Sequence, residues 1–279
     1  MKSLDGVHAV VTGAASGIGL ALTNRLVTDG ARVTMADIEQ RALDDAVSGL
    51  AALGAPVHGV RCDVTEAASV EALADAAETE FGTVQVVCNN AGVTLSGATW
   101  ESTLDDWRWL FGVNVWGVVH GVRTFVPRLI ESGLVGHVIN TGSLAGYLNN
   151  PGFGAYNATK HAVIAISETL AADLRAAGHP IGVTVVAPYF VETRLAKSAR
   201  NRPDELRDVA PVSDFTRAVW STMAATRSAT QSPAEIADAT IDAVLSERFA
   251  VFPLDSSRAG VRARFEALLA GEVPPQWLP

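Results

Sequence analysis

Short apolar runs rich in β-branched residues alternate with helical segments along most of this chain, and that alternation constrains the fold more than any other feature. Residues 7–12, 32–36, 57–62 and 84–89 read as strands. Between them, residues 17–28, 39–53 and 67–81 carry helical spacing, and these helices stop at Gly30, Gly54 and Gly82. The second half keeps the rhythm, with a helix over 104–131 that holds Pro127 near its end, a strand over 135–141, a helix over 156–177 and a strand over 181–187. After a break, a helix over 233–246, a short strand over 249–253 and an amphipathic helix over 256–270 close the pattern. Strands separated by helices of this length form βαβ units, and right-handed crossovers put the helices on both sides. The expected fold is α/β: a doubly wound parallel sheet of about seven strands with helices on both faces.

The break over 191–231 is polar, with Leu195, Phe215, Trp220 and Met223 scattered along it. It is too long for an ordinary connector and is expected to form a substrate-binding lid or to be partly disordered. Residues 254–279 are expected to form a C-terminal helix and a proline-rich tail. No repeat or low-complexity linker divides the chain, so 1–279 reads as a single domain. At 279 residues it can build a full core without disulfides or metals. Hydrophobic residues at 48% and charged residues at 18% suit strands covered on both faces. A net charge of −9 with no basic stripe argues against nucleic acid or an anionic membrane as partner. No apolar run reaches about 18 residues, the length a membrane-crossing helix needs. Cys62 and Cys88 lack paired spacing and read as buried, inert thiols of a reducing compartment. With a polar N-terminus that leads straight into a strand, a cytoplasmic location is expected. The six histidines show no metal-ligand spacing, so no metal site is expected.

Two short stretches point to chemistry. The first strand runs into Thr12-Gly13-Ala14-Ala15-Ser16-Gly17-Ile18-Gly19. Glycine permits the tight turn and lets a phosphate approach the backbone, and the N-terminus of the next helix offers free N–H groups and a positive dipole end. This predicts a pyrophosphate site lined by Gly13, Ser16, Gly17, Ile18 and Gly19. Asp37, at the end of the second strand, is placed to hydrogen-bond ribose hydroxyls and to repel a 2′-phosphate, which favours NAD over NADP. The other stretch is Tyr156-Asn157-Ala158-Thr159-Lys160. Tyr156 and Lys160 share a helix face, where a cation beside the phenol lowers its pKa and fits it for general acid/base work.

With these motifs stand Asp63-Val64, Asn89-Asn90-Ala91-Gly92, Asn114, Ser143 and Pro188 with Thr193. Taken in order, they make the chain resemble the short-chain dehydrogenase/reductase family, from the first strand to about Thr193. The resemblance implies a Rossmann-type fold, an NAD cofactor and oxidoreductase activity on CH–OH groups. It implies that Tyr156 exchanges the proton, Lys160 tunes Tyr156 and binds the nicotinamide ribose, and Ser143 holds the substrate oxygen. Asn114 would hold a water that links Lys160 to solvent. Asp63 and Val64 would meet adenine, and Asn90, Ala91 and Gly92 would pass beneath the cofactor. Pro188, Val191 and Thr193 would lie at the nicotinamide. The family usually carries glycine after the proline, whereas Tyr189-Phe190 follows Pro188 here. The resemblance also implies a homodimer or homotetramer, its dimer face made by the helices over 104–131 and 156–177.

Leu95, Leu144, Leu148, Phe153, Tyr189 and Phe190 are candidate pocket walls, with Ser143, Leu148, Tyr156 and Tyr189 foremost as substrate contacts. No arginine cluster stands out for a substrate anion, although Arg194 lies in the lid. A fairly bulky, apolar secondary alcohol or ketone is therefore the expected partner. Two other readings stay open: an NADP-dependent ketone reductase, and a non-catalytic NAD-binding sensor or scaffold on the same fold.

Overall fold

The computed structural model describes residues 1–207, 213–226 and 231–275, and of 223–226 the backbone alone. Met223 and tail residues 276–279 thus lie outside what is described of side chains and chain end. Among the described residues, seven parallel strands form one sheet in the order β3-β2-β1-β4-β5-β6-β7. They are β1 His8–Thr12, β2 Arg32–Asp37, β3 Val57–Arg61, β4 Val86–Asn89, β5 Gly136–Thr141, β6 Ile181–Val186 and β7 Ala250–Val251. Every residue of β1 and β4 is buried, as expected for strands roofed on both faces. The last strand is shorter than its apolar run suggests, because only two of its residues find partners, Val185 and Val186 on β6.

Helices α1 Gly17–Thr28, α2 Gln40–Ala51, α8 Pro233–Leu245 and α9 Ser256–Leu269 accompany α3 Ala67–Phe81, α4 Leu104–Phe111, α5 Gly117–Ser132, α6 Gly154–Ala176 and α7 Asp214–Thr226. One core layer sets Leu22 and Leu26 of α1 and Ile236 and Ile241 of α8 against Val11, Val33 and Met35. The opposite layer sets Val70, Leu73 and Phe125 against Val10 and Val87. Fully burying a leucine, valine or phenylalanine stabilises by about 1.5–3 kcal/mol, so these two layers carry the sheet.

Two expectations are refined. Residues 104–131 are not one α-helix: a π-helical turn, Gly112–Trp116, separates α4 from α5, and the Gly117 N–H reaches back to the Gly112 carbonyl. Residues 191–231 are not merely a polar strap. They contain 3₁₀ turns at Leu195–Asn201 and Asp204–Leu206 and the helix α7.

The strand order reverses between β1 and β4, and the C-terminal ends of both strands open there. Crevices at such switch points bind ligands in open α/β sheets.

Candidate active site

The turn after β1 has little room. A Cβ at Gly19 would stand 2.1 Å from the Gly13 carbonyl oxygen, so only glycine lets α1 start this close to the strand. Ser16 caps α1 in extended conformation without a side-chain hydrogen bond, and the first intrahelical bond runs from Leu20 N–H to Ser16 O. The N–H groups of the first turn therefore point outward as donors. Asp37 is buried, and its carboxylate accepts from the backbone N–H groups of Ala15 and Glu39, each at 3.0 Å. Those bonds fix a negative charge beside the glycine turn. No cation from Ala15 or Ser16 offsets it. Asp63 caps the loop into α3 by accepting from Thr65 N–H at 3.0 Å and Thr65 Oγ1 at 2.8 Å, and Val64 is buried against Gly117.

The switch point is stitched by Asn90. Its N–H donates to Thr12 Oγ1, its Nδ2 to the Thr12 carbonyl, each at 2.9 Å, and its Oδ1 accepts from Thr141. Ala91 N–H also donates to Thr12 Oγ1. Gly92 leaves room for Asn114 and Lys160, whose Oδ1 and Nζ would lie 3.4 and 3.7 Å from any Cβ there.

Asn114 is buried on the π turn. Its Oδ1 accepts from Val93 N–H, and its Nδ2 donates to the Val93 carbonyl and to Thr159 Oγ1. Both amide donors are thus spent on the protein, so the side chain anchors the loop after β4 and offers no donor to a water. A π turn at this position agrees with the frequent occurrence of such turns at functional sites.

Lys160 is buried, and its Nζ donates to the Thr141 carbonyl at 2.9 Å and lies 5.8 Å from the centre of the Tyr156 ring. The Ser143 hydroxyl lies close enough to the Tyr156 phenol to lower its pKa. Ser143 also caps the 3₁₀ turn Leu144–Gly146, accepting from Ala145 N–H. That turn packs on α6 so closely that a Cβ at Gly146 would lie 2.7 Å from the Lys160 carbonyl oxygen, which fixes Ser143 over the helix that carries Tyr156. Burial pushes the Tyr156 phenol above its ordinary value, and the Ser143 hydroxyl offsets part of that rise. Burial also pushes Lys160 down to about 8. The lowered phenol pKa expected from the Tyr156–Lys160 spacing is therefore corrected. Burial of the phenol is the larger cause, and it favours the neutral form.

The segment that begins at Val191 is tied at several points to the loops after β2 and β4 and to α4. Ser198 Oγ accepts from Thr94 N–H at 3.0 Å and donates to the Thr94 carbonyl. Arg200 pairs with Glu39, which also accepts from Asn201 Nδ2, and Arg202 Nη1 donates to Asp106 Oδ1 at 2.6 Å. The lid's two ends meet where Gln231 N–H donates to the Phe190 carbonyl and Glu192 N–H to the Gln231 carbonyl. Thr193 lies against Gly17, its methyl carbon 3.0 Å from the place of a Cβ there. On α7, Trp220 Nε1 donates to Ser96, and Phe215 lies 5.5 Å from Trp100.

Of the candidate walls, Leu95, Phe153, Tyr189 and Phe190 are half-buried, and the Phe153 and Tyr156 rings meet edge-on at 6.4 Å. Leu144 and Leu148 are nearly enclosed, at 2% exposed each, so they back the site from within the packing. Pro188 is buried, and its carbonyl accepts from Leu144 N–H. Val191 packs onto the core beside it. Reading the sequence missed Thr12, Thr141 and Thr159, which hold Asn90, Lys160 and Asn114, and it missed Arg202. Thr159 stood within the Tyr156–Lys160 stretch. Thr12 likewise opened the glycine stretch, whereas Thr141 and Arg202 carry no local signal, since topology alone brings them to the site. Among the described residues, no cluster of histidine, cysteine and carboxylate side chains could hold a metal ion.

The short-chain dehydrogenase model matches residues 7–204, more than half of the chain, so the protein belongs to the short-chain dehydrogenase/reductase family and is an oxidoreductase. Among its relatives is the 1-deoxy-11-beta-hydroxypentalenate dehydrogenase of Streptomyces avermitilis, 42% identical over 88% of this chain and 83% of that protein. The C alpha-dehydrogenase of a Sphingobium strain is 31% identical over 98% of this chain and 89% of its own length. A short-chain dehydrogenase/reductase from Burkholderia phymatum, solved in complex with NAD, superposes with a TM-score of 0.96 at 41% identity, covering both chains completely.

Proposed function

We propose that the chain is an NAD(H)-dependent dehydrogenase that interconverts a bulky, apolar secondary alcohol and its ketone, with Tyr156 as general acid/base. The observation that carries this reading is the placement of Ser143, Tyr156 and Lys160 together, with Lys160 Nζ 5.8 Å from the Tyr156 ring, at the same C-terminal end of the sheet as the glycine turn and Asp37. The residues fit a dinucleotide: outward N–H groups of Ser16–Gly19 suit a pyrophosphate, and the fixed Asp37 carboxylate suits ribose hydroxyls and disfavours a 2′-phosphate. Gly13 completes the turn; Asp63 and Val64 would border adenine, and Asn90, Ala91 and Gly92 would floor the crevice. Lys160, Pro188, Val191 and Thr193 would border the nicotinamide half. When bound, the nicotinamide supplies or accepts the hydride.

The chain's own groups handle the proton. In reduction, the resting phenol of Tyr156 donates its proton to the developing alkoxide, and Ser143 donates a hydrogen bond to the same oxygen. The Lys160 ammonium then faces the phenolate and stabilises it. In oxidation the phenolate accepts the hydroxyl proton. Asn114 holds the Val93 loop and Thr159 in register with Lys160.

For the substrate class, support comes from the half-buried Leu95, Phe153, Tyr189 and Phe190, and from relatives named for a hydroxypentalenate and for a Cα position. Exposed Leu104 and Trp116, on the α4 side of the molecule and in the π turn, support a homodimer or homotetramer. Among the described residues, no helix is long and apolar enough to cross a membrane, and we place the enzyme in the cytoplasm.

The test has two parts. NADH and NADPH are titrated against tryptophan fluorescence, and terpenoid, steroid and aromatic alcohols are compared with sugars and short hydroxy acids in turnover. Tight binding of NADH with faster oxidation of the apolar alcohols is expected. Preference for NADPH would favour the NADP reductase, and cofactor binding without any turnover would favour a sensor.

A further inference from the structure

We propose that Arg202 recognises a carboxylate on the substrate, at the end remote from the reacting carbon. This inference rests on the apolar-alcohol reading above and narrows it to apolar hydroxy or keto acids. Arg202 is 8% exposed and stands between the two 3₁₀ turns of the lid. Its Nη1 donates to Asp106 Oδ1 at 2.6 Å, while Nε and Nη2 are buried with no acceptor among the described residues. These two nitrogens form one edge of the planar guanidinium, and their N–H bonds run parallel. That spacing matches the two oxygens of a single carboxylate. The guanidinium keeps its proton at any working pH, so both donors persist.

A fastening role for the lid does not account for that edge. Asp106 meets Arg202 through Oδ1 alone, because its Oδ2 accepts from Thr103 N–H in the cap of α4. Among the described residues, one donor thus holds the segment while a complete two-pronged edge stays buried without an acceptor, an arrangement that a ligand carboxylate would satisfy. The guanidinium carbon lies 5.6 Å from the Trp109 ring centre, and Trp109 belongs to one apolar cluster with Leu95, Trp107, Ala155, Leu206 and Tyr156. An apolar substrate lying against the half-buried members of that cluster, Leu95, Trp107 and Leu206, would have Tyr156 and Arg202 as its two polar partners. A local cation matters here, because a chain of net charge −9 otherwise repels anions.

The experiment uses the NAD-loaded enzyme and secondary alcohols offered both as free acids and as methyl esters, among them lithocholate, 12-hydroxystearate and 4-(1-hydroxyethyl)benzoate. Wild-type enzyme is expected to prefer the acid of the best pair by about tenfold or more in kcat/KM, the scale of a bidentate ionic contact. Arg202→Met is expected to bring that ratio near one by raising KM for the acid, and Arg202→Lys to restore only part of it. Asp106→Asn removes the ion pair but leaves the free edge, so it is expected to keep the acid preference. Equal wild-type turnover of acid and ester would overturn the proposal. So would an unchanged ratio in Arg202→Met, with both substrates slowed equally, since that marks a lid fastener only. If no alcohol of either form is oxidised, the apolar-alcohol reading fails and the subsite fails with it.

Discussion

With the Thr141 carbonyl as its hydrogen-bond acceptor and almost no contact with solvent, the Lys160 ammonium is held at about 8 rather than 10.5. Its folded pKa lies below its unfolded one, so the unfolded chain binds more protons between those values and stability rises as pH climbs through that window. At pH 7 the buried charge costs on the order of 1–3 kcal/mol. Lys160→Met is therefore expected to abolish turnover yet raise Tm at pH 7 by several degrees, a gain that fades between pH 8 and 10.5. Scanning calorimetry at three pH values checks this, and a lower Tm at pH 7 would contradict it. The raised Tyr156 pKa keeps the phenol protonated at neutral pH. Ketone reduction is then expected to be flat from pH 6 to 8, while alcohol oxidation climbs through the alkaline range; initial rates in both directions test it, and oxidation already at its plateau by pH 6 would contradict it. Asp37→Ser should raise kcat/KM for NADP relative to NAD by at least about tenfold by removing the charge that opposes a 2′-phosphate. An unchanged cofactor ratio would remove Asp37 from that role. Tyr156, Lys160 and Asp37 were legible in the sequence because spacing within one helix, or from a glycine turn, is local. The Thr141 carbonyl and the Arg202 edge were not, because each meets its partner across the fold.

Strands and helices were the more legible level, since a sheet roofed on both faces writes itself as apolar runs. The misses came where an element departs from its regular period. The π turn at Gly112–Trp116 inserts into a run whose helical pattern continues on both sides, so nothing in the side chains marks it. His137 on β5 shows the cost of polar groups inside such a sheet. Thr184 donates to the Arg248 carbonyl, so the proton between Thr184 and His137 sits on His137 Nε2, and Nδ1 is buried against Gly182 with no partner among the described residues. Burial pushes His137 down to about 4 from 6.5. The unfolded chain takes up the proton first, so stability is expected to fall as pH drops from 6.5 to 4, by roughly 2–3 kcal/mol from this residue. Denaturant melts at pH 7 and 4.5 should show a smaller drop in His137→Gln than in wild type; an equal drop would assign the acid sensitivity elsewhere.

Across the whole molecule, the lid ties the two halves of the crevice together. Glu39, two residues beyond Asp37, holds Arg200 and Asn201, while Thr94 and Asp106, after β4 and on α4, hold Ser198 and Arg202. Glu39→Gln is expected to speed NADH release severalfold in stopped-flow displacement and to change Tm little, since ion pairs that water still reaches contribute little to stability. An unaltered release rate would show that the pair plays no part in retention. A strap buckled on both banks also imposes an order of traffic. The dinucleotide has to arrive before the buckle at Glu39 closes and depart after it opens, whereas the smaller molecule comes and goes between. Product-inhibition patterns should therefore show a compulsory sequence, with the nucleotide first in and last out.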